Sequence, residues 1–145
     1  MSKNSAQHAE REEFFNAHAT GWEARNYPPE KLRQVDHLVQ GLPLAHARVI
    51  LDVGCGEGVL QPFLQKHAQT DAAFLALDPS AAMLKCLSAR FPHVHTYQAA
   101  AECMPLPDAS VDMVICFSAF PHVADKKAAA REFYRVLRPA GRAYV

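Results

Sequence analysis

The chain has 145 residues, 50% of them hydrophobic, and its fifteen basic and fifteen acidic residues cancel to a formal charge of zero. This is material for one domain with one core; it leaves no room for a separate substrate domain, carries no basic footprint for nucleic acid and holds no apolar run of membrane-spanning length. Residues 1–13 lack the apolar segment of a secretory signal, and Cys55, Cys86, Cys103 and Cys116 show no C-x-x-C spacing, so a cytoplasmic protein with reduced thiols is expected.

In chain order, residues 1 to about 6 are expected to be disordered. Leu32, Val35, Leu38 and Val39 mark one face of a helix that opens near Pro29 and stops at Gly41. Val49, Ile50, Leu51 and Val53 are apolar and mostly β-branched, which suits a strand covered on both faces. They run into Gly54-Cys55-Gly56-Glu57-Gly58, where glycine lets the backbone turn sharply and approach a ligand closely. Val59, Leu60, Phe63 and Leu64 then follow a helical period, with Pro62 tolerated in the first turn, so the free amides of a helix start face the same crevice. A second apolar strand, residues 73–77, ends in Asp78, the position of an acid that would hold ribose hydroxyls.

Further along, Met83, Leu84, Leu87 and Phe91 give an amphipathic helix, and residues 94–98 a third strand. Pro105 and Pro107 forbid a regular helix in the next segment. A fourth strand is expected at about residues 112–117. Asp125 can cap a helix whose buried face is Ala129, Phe133, Val136 and Leu137, after which Pro139 and Gly141 turn the chain into a last strand, residues 142–145. Five strands linked mostly by helices make an α/β, Rossmann-like doubly wound sheet, mostly parallel, with ligands held beyond the carboxyl ends of the strands. Residues 1–41 read as leader helices and 42–145 as the cofactor-binding core.

The spacing Gly54-x-Gly56-x-Gly58, preceded by Asp52, departs from the dinucleotide pattern G-x-G-x-x-G and resembles motif I of the class I S-adenosylmethionine-dependent methyltransferases. Residues 74–84, FLALDPSAAML, resemble the second strand and ribose acid of that family. Residues 101–107 and 110–114 are similar to its third and fourth motifs, residues 135–141 to the entry of its fifth strand, and the segment from Phe14-Phe15 to Trp22-Glu23 to its capping leader. In this order the resemblance covers most of residues 14–145 and points to the type 11 methyltransferases. The family sheet continues after strand five, so the chain looks like a shortened member whose C-terminal strands are missing.

The resemblance implies S-adenosyl-L-methionine as cofactor and a small-molecule methyl acceptor as partner, with no nucleic acid and no membrane. It implies that the turn of Gly54, Cys55, Gly56 and Gly58 passes the methionine end, that Asp52 orients its amino group, and that Asp78, followed by Pro79, binds ribose. A plain helix cap is the other role open to Asp78, and the two are compatible. Met83, Ala101, Glu102 and the backbone at Cys116 belong around the cofactor, and Trp22 either closes the site or simply packs the leader. Met104 lies in the loop that covers adenine in relatives, although methionines are more often core fillers. Ala100 stands where many relatives carry an aspartate for the adenine amine, so Glu102 or a backbone carbonyl serves instead, or affinity falls. His122, just past strand four, is the one candidate base, with structural packing the stronger reading. Two other readings stay open: a nicotinamide-dependent oxidoreductase, at odds with the third-glycine spacing, and a truncated, non-catalytic cofactor-binding domain.

Overall fold

The computed structural model describes residues 3–145. Residues 1 and 2, part of the segment expected to be disordered, lie outside the described residues. From residue 3 onward that expectation is corrected. Helix α1 spans Lys3–His18, because Ala6, Ala9, Glu10, Glu12 and Glu13 are strong helix formers and Asn16 ties its last turn to the segment 80–82.

Two more helices follow, α2 (Trp22–Asn26) and α3 (Pro29–Gln40), and then strands and helices alternate: β1 (Val49–Val53), α4 (Gln61–His67), β2 (Ala73–Asp78), α5 (Ala81–Arg90), β3 (His95–Gln98), β4 (Val111–Ile115), α6 (Lys126–Val136) and β5 (Leu137–Tyr144). The strands form one sheet in the order β3-β2-β1-β4-β5, and every neighbouring pair is parallel. Strand alternation sends Ile50, Phe74, Ala76, Met113 and Ile115 to one face, where Val35 and Val39 of α3, Leu64 of α4 and Leu87 of α5 cover them. The other face carries Leu51, Val53, Leu77 and Val114 against Ala129, Phe133 and Val136 of α6 and the buried loop residues Ala101, Met104 and Leu106. Each fully buried aliphatic side chain contributes about 2 kcal/mol, and this double-sided burial explains why β1 is apolar at every position but Asp52.

Several local expectations hold. Pro62 sits in the first turn of α4, and the Asp125 side chain caps α6 by accepting the Ala128 amide at 2.9 Å. Others shift. Gly41 does close α3, but with φ −75°, so it does not use the left-handed freedom that makes glycine a common stop. Ser80, not Asp78, caps α5, its hydroxyl accepting the Met83 amide at 3.1 Å. The fourth strand spans Val111–Ile115, ending before Phe117, because Ser118 turns to φ 56°. Leu137 leaves the helix and starts β5. Pro139 and Gly141 do not precede that strand but interrupt it. Leu137 pairs with Val111 and Arg142 with Met113, so residues 138–141 lie opposite Asp112 alone as a four-residue bulge. Arg138 crosses that bulge to the Asp112 carboxylate at 3.1 Å, while Asp112 also accepts the Arg48 and Val49 amides, both at 2.9 Å, at the entry to β1.

Candidate functional site

Strand order reverses at β1, where α4 and α5 lie on one face and α6 on the other, which opens a crevice beyond the carboxyl ends of β1, β2 and β4. A cavity of about 270 Å³ fills it. Its floor is the turn after β1. Gly54 has φ 69°, and a Cβ there would meet the Ala119 Cβ at 2.2 Å, so two loops touch at a place where no side chain fits. Gly56 has φ 54°, and a Cβ would come no nearer to its neighbours than 3.9 Å, from Met83 Sδ. Gly54 is therefore demanded by packing. Gly56 leaves its open side to the cavity.

The turn is tied to the end of β2. The Gly54 amide donates to the Leu77 carbonyl at 2.7 Å, and the Gly56 amide to Asp78 Oδ2 at 2.9 Å. Asp78 Oδ1 accepts the Ser80 amide, also at 2.9 Å. A carboxylate offers about four lone-pair sites, so the two oxygens keep capacity for hydroxyl donors. Burial raises the Asp78 pKa above the ordinary carboxylate range, and the two amides oppose that shift. Asp52 lies beneath the turn, 2% exposed, and touches Gln61 Nε2 at 3.3 Å. Burial pushes its carboxyl up to about 7, against the Gln61 hydrogen bond and helped by the charge of Asp78. Burial likewise raises the thiols of Cys55, well above its usual value, and of Cys116, to about 12. Neither is a thiolate nucleophile.

The leader forms the roof. Asn16 Oδ1 accepts the Ser80 hydroxyl at 2.7 Å and the Ala82 amide at 3.2 Å, which pins α1 to the start of α5. Farther back on α1, Arg11 donates to the His122 carbonyl, and the Phe15 ring meets both Trp22 at 5.4 Å and His122 at 5.6 Å, edge to face. Helix α2 has no cap of its own. The Glu57 carboxylate, reaching up from the glycine turn, accepts the Glu23 amide at 2.7 Å and the Gly21 amide at 3.3 Å. Arg90 adds a second tie, to Glu23 at 2.6 Å and to the Glu57 carbonyl at 3.0 Å.

Of the residues expected at the site, Trp22, Gly54, Cys55, Gly56, Asp78, Pro79, Met83, Ala101, Glu102, Cys116 and His122 all line this cavity. Asp52 and Gly58 do not. Asp52 is buried under the floor, and Gly58 packs behind it against Leu87 and Phe91. Met104 is a core residue, its amide held by Glu132 at 2.7 Å, whereas Met83 is on the wall. Glu102 Oε1 accepts the Ala124 and Asp125 amides at 2.9 and 3.0 Å, so that oxygen braces the loop after β4 instead of facing an adenine amine. Sequence reasoning passed over Glu57, Tyr27, Arg11 and Lys31. Only the position of Glu57 inside the glycine run hinted at a role, because the contacts of Arg11 with His122 and of Tyr27 with Phe117 are set by how the leader folds back.

These residues fit the cofactor that the sequence resemblance implies. An open glycine at the floor, a carboxylate with spare acceptor capacity at the end of β2, and the apolar faces of Trp22 and Met83 suit a nucleoside with a polar tail. No group of three or more potential metal ligands occurs among the described residues.

Comparison with known proteins agrees. The methyltransferase domain family matches residues 51–145. A Mycobacterium tuberculosis protein named "Probable S-adenosylmethionine-dependent methyltransferase" is 36% identical over 99 residues, covering 68% of this chain and 35% of its own length. An uncharacterized methyltransferase of Schizosaccharomyces pombe is 33% identical over 117 residues, covering 81% of this chain and 44% of its own length. The chain thus spans about a third to a half of the curated relatives it matches. Among solved structures, the YcgJ protein of Bacillus subtilis superposes with a TM-score of 0.68 at 26% identity, over 77% of this chain and 48% of that one. A SAM-dependent methyltransferase from Aquifex aeolicus shares the fold with a TM-score of 0.66 at 22% identity, over 79% and 69%. With the family matched along all of β1 to β5 but the first two residues of β1, the chain belongs to the methyltransferase domain family, whose cofactor is S-adenosylmethionine.

Proposed function

We propose that this domain transfers a methyl group from S-adenosylmethionine to a small-molecule acceptor. The observation that carries the reading is the roofed cavity itself, with Gly56 open at its floor and the Asp78 carboxylate on its wall at the ends of β1 and β2. A formal charge of zero favours a small acceptor over a nucleic acid, and no helix among the described residues is long and apolar enough to cross a membrane. A cytoplasmic setting goes with that reading.

When bound, the cofactor supplies a methyl group already made electrophilic by its sulfonium, so the protein has little bond chemistry to perform. Asp78 takes the ribose hydroxyls. The turn at Gly54–Gly56 lies along the methionine end, and Met83, Ala101 and Trp22 exclude water around the nucleoside. Alignment of donor and acceptor is then the main source of rate. His122, whose backbone amide is held by the Ala119 carbonyl at 2.9 Å and whose ring meets Phe15 edge to face, is the wall residue placed to take a proton from an acceptor, with packing the stronger account of its position.

A thermal-shift titration with S-adenosylmethionine, S-adenosylhomocysteine and NAD tests the reading. A ligand at a hundred times its Kd adds about 2.7 kcal/mol, enough for a shift of several degrees. Stabilisation by the two methionine-derived ligands and not by NAD supports the proposal. Stabilisation by NAD alone, or a cooperative melt that none of the three moves, overturns it.

A further inference from the structure

The charges of this chain balance as a whole but not from element to element. Residues 126–145 carry six basic side chains against one acid. Several of these are engaged inside the domain: Arg135 with Glu132 and Asp108, Arg138 with Asp112 and Lys126 with the Val123 carbonyl. Lys127 and Arg131 have no hydrogen-bond or ion-pair partner among the described residues, and neither do Glu10 and Glu13 on α1. Helical period gathers each pair into a stripe. Ala129, Phe133 and Val136 turn α6 to the sheet, which leaves Lys127, Ala130, Arg131 and Tyr134 on the outward face, all exposed and Tyr134 by 86%. On α1 the same offsets carry Glu10, Glu13, Phe14 and Ala17, again all exposed. Phe14 and Tyr134 are two of the four large hydrophobic side chains that the described residues expose. Each sits beside two charges of one sign, and aromatic rings with arginine are the side chains in which protein interfaces are enriched.

From this we infer that the domain pairs with a second copy of itself, α1 of one molecule lying parallel on α6 of the other. When two parallel helices face one another, position i+3 of one meets position i+4 of its neighbour. Glu13 then falls on Arg131 and Phe14 on Ala130, while the outer positions bring Glu10 to Lys127 and Ala17 to Tyr134. Each charge meets its opposite, and each ring meets a small side chain. An antiparallel alignment sets Glu10 against Tyr134 and Lys127 against Ala17, which leaves both charges unpaired. The stripes do not meet within one molecule, because all eight side chains are exposed there. Asn16 pins α1 to the start of α5, whose Leu84 and Leu87 pack on the sheet face opposite α6. A contact of this size and charge belongs at the weak end of specific association, with a Kd of about 10–100 µM, and salt screens it.

The test is sedimentation velocity on the wild-type chain and on two charge-reversed variants, Lys127→Glu with Arg131→Glu and Glu10→Lys with Glu13→Lys. Each is run alone and the two variants as an equimolar mixture, at up to about 300 µM and in low and high salt. Melting curves report whether each variant is folded. If either has lost its cooperative melt, Arg131→Gln or Glu13→Gln takes its place, since it removes one exposed charge without reversing it.

Concentration-dependent dimerisation of wild type, weakened about tenfold or more by salt and by either substitution pair, and restored in the mixture, supports the pairing. Restoration separates direct contact of the two helices from a general change in net charge, because only in the mixture does the reversed α6 find the reversed α1. The inference is overturned if wild type stays monomeric at the highest concentration, if either variant associates as wild type does, or if folded, reversed variants remain monomeric when mixed. No readout involves the cofactor, so the result stands apart from the methyltransferase reading.

Discussion

Gly56 and Asp78 hold one another across the floor of the cavity: the glycine amide donates to one carboxylate oxygen at 2.9 Å while the other accepts the Ser80 amide at the same distance. A single side chain thereby joins the turn after β1 to the start of α5 and stands on the cavity wall as well.

It follows that Asp78→Ala lowers stability and ligand affinity together. The buried Ser80 amide loses its acceptor, at about 1–3 kcal/mol, the half-buried Gly56 amide loses its own as well, and the melting temperature drops by several degrees. Asp78→Asn keeps one carbonyl acceptor and recovers part of the stability but not the affinity. Melting curves with and without S-adenosylhomocysteine check this. Affinity that survives in a folded Asp78→Ala protein removes Asp78 from the site.

The buried Asp52 sets a pH dependence with a definite sign. Its carboxyl is raised from 3.8 in the unfolded chain to about 7 in the folded one, so between those values the folded state keeps a proton that the unfolded state has released. Stability from this group is therefore greatest near the acid end of that window and falls by about 1.4 kcal/mol per pH unit as pH rises through it. Asp112 and Glu132, held below the ordinary carboxylate range, act in the opposite sense. The comparison that isolates Asp52 is wild type against Asp52→Asn in urea from pH 4 to 8. The difference between them should change with pH across that range, and a constant difference would refute the raised pKa.

Gly54→Ala places a methyl group 2.2 Å from the Ala119 Cβ at φ 69°. Backbone strain alone costs about 1–2 kcal/mol, and the overlap adds to it. Ala119→Gly should rescue the steric part and leave the strain. A double-mutant cycle of unfolding free energies reads this directly, and strictly additive effects would mean that the two loops separate at little cost.

Glu57→Ala removes the cap that the glycine turn lends to α2. Loss of such a cap costs about 1 kcal/mol and should fall mainly on the leader. Trp22 then shifts its emission to the red and cleavage near Gly21 by a protease accelerates, while the melt of the sheet moves little. Glu57→Gln, which still offers an acceptor oxygen, sits between the two. Unchanged emission in Glu57→Ala would show that Arg90 and Asn16 hold the leader without it.

Much of this architecture was legible in the chain because its signals are local. The alternating apolar strands, the glycine run after β1, Asp78 at the end of β2 and Asp125 three residues ahead of Ala128 depend on neighbours a few positions away, and periodicity and turn chemistry report such neighbours faithfully. What only the tertiary structure decided involves partners far apart in sequence. Asp52 went under the floor and Met104 into the core while Met83 reached the wall, since depth at a strand end depends on the neighbouring loops. The role of Glu57 as a borrowed cap and the contact of Arg11 with the His122 carbonyl arise where the leader folds back over the sheet, and the commitment of Glu102 to the Ala124 and Asp125 amides arises where two loops of the core meet. The bulge at residues 138–141 belongs with them, because Pro139 and Gly141 announce a turn in any context and only pairing with β4 makes that turn part of a strand. Local free energies select the elements, whereas the burial and pairing of charges is a property of surfaces that meet only after the chain has folded.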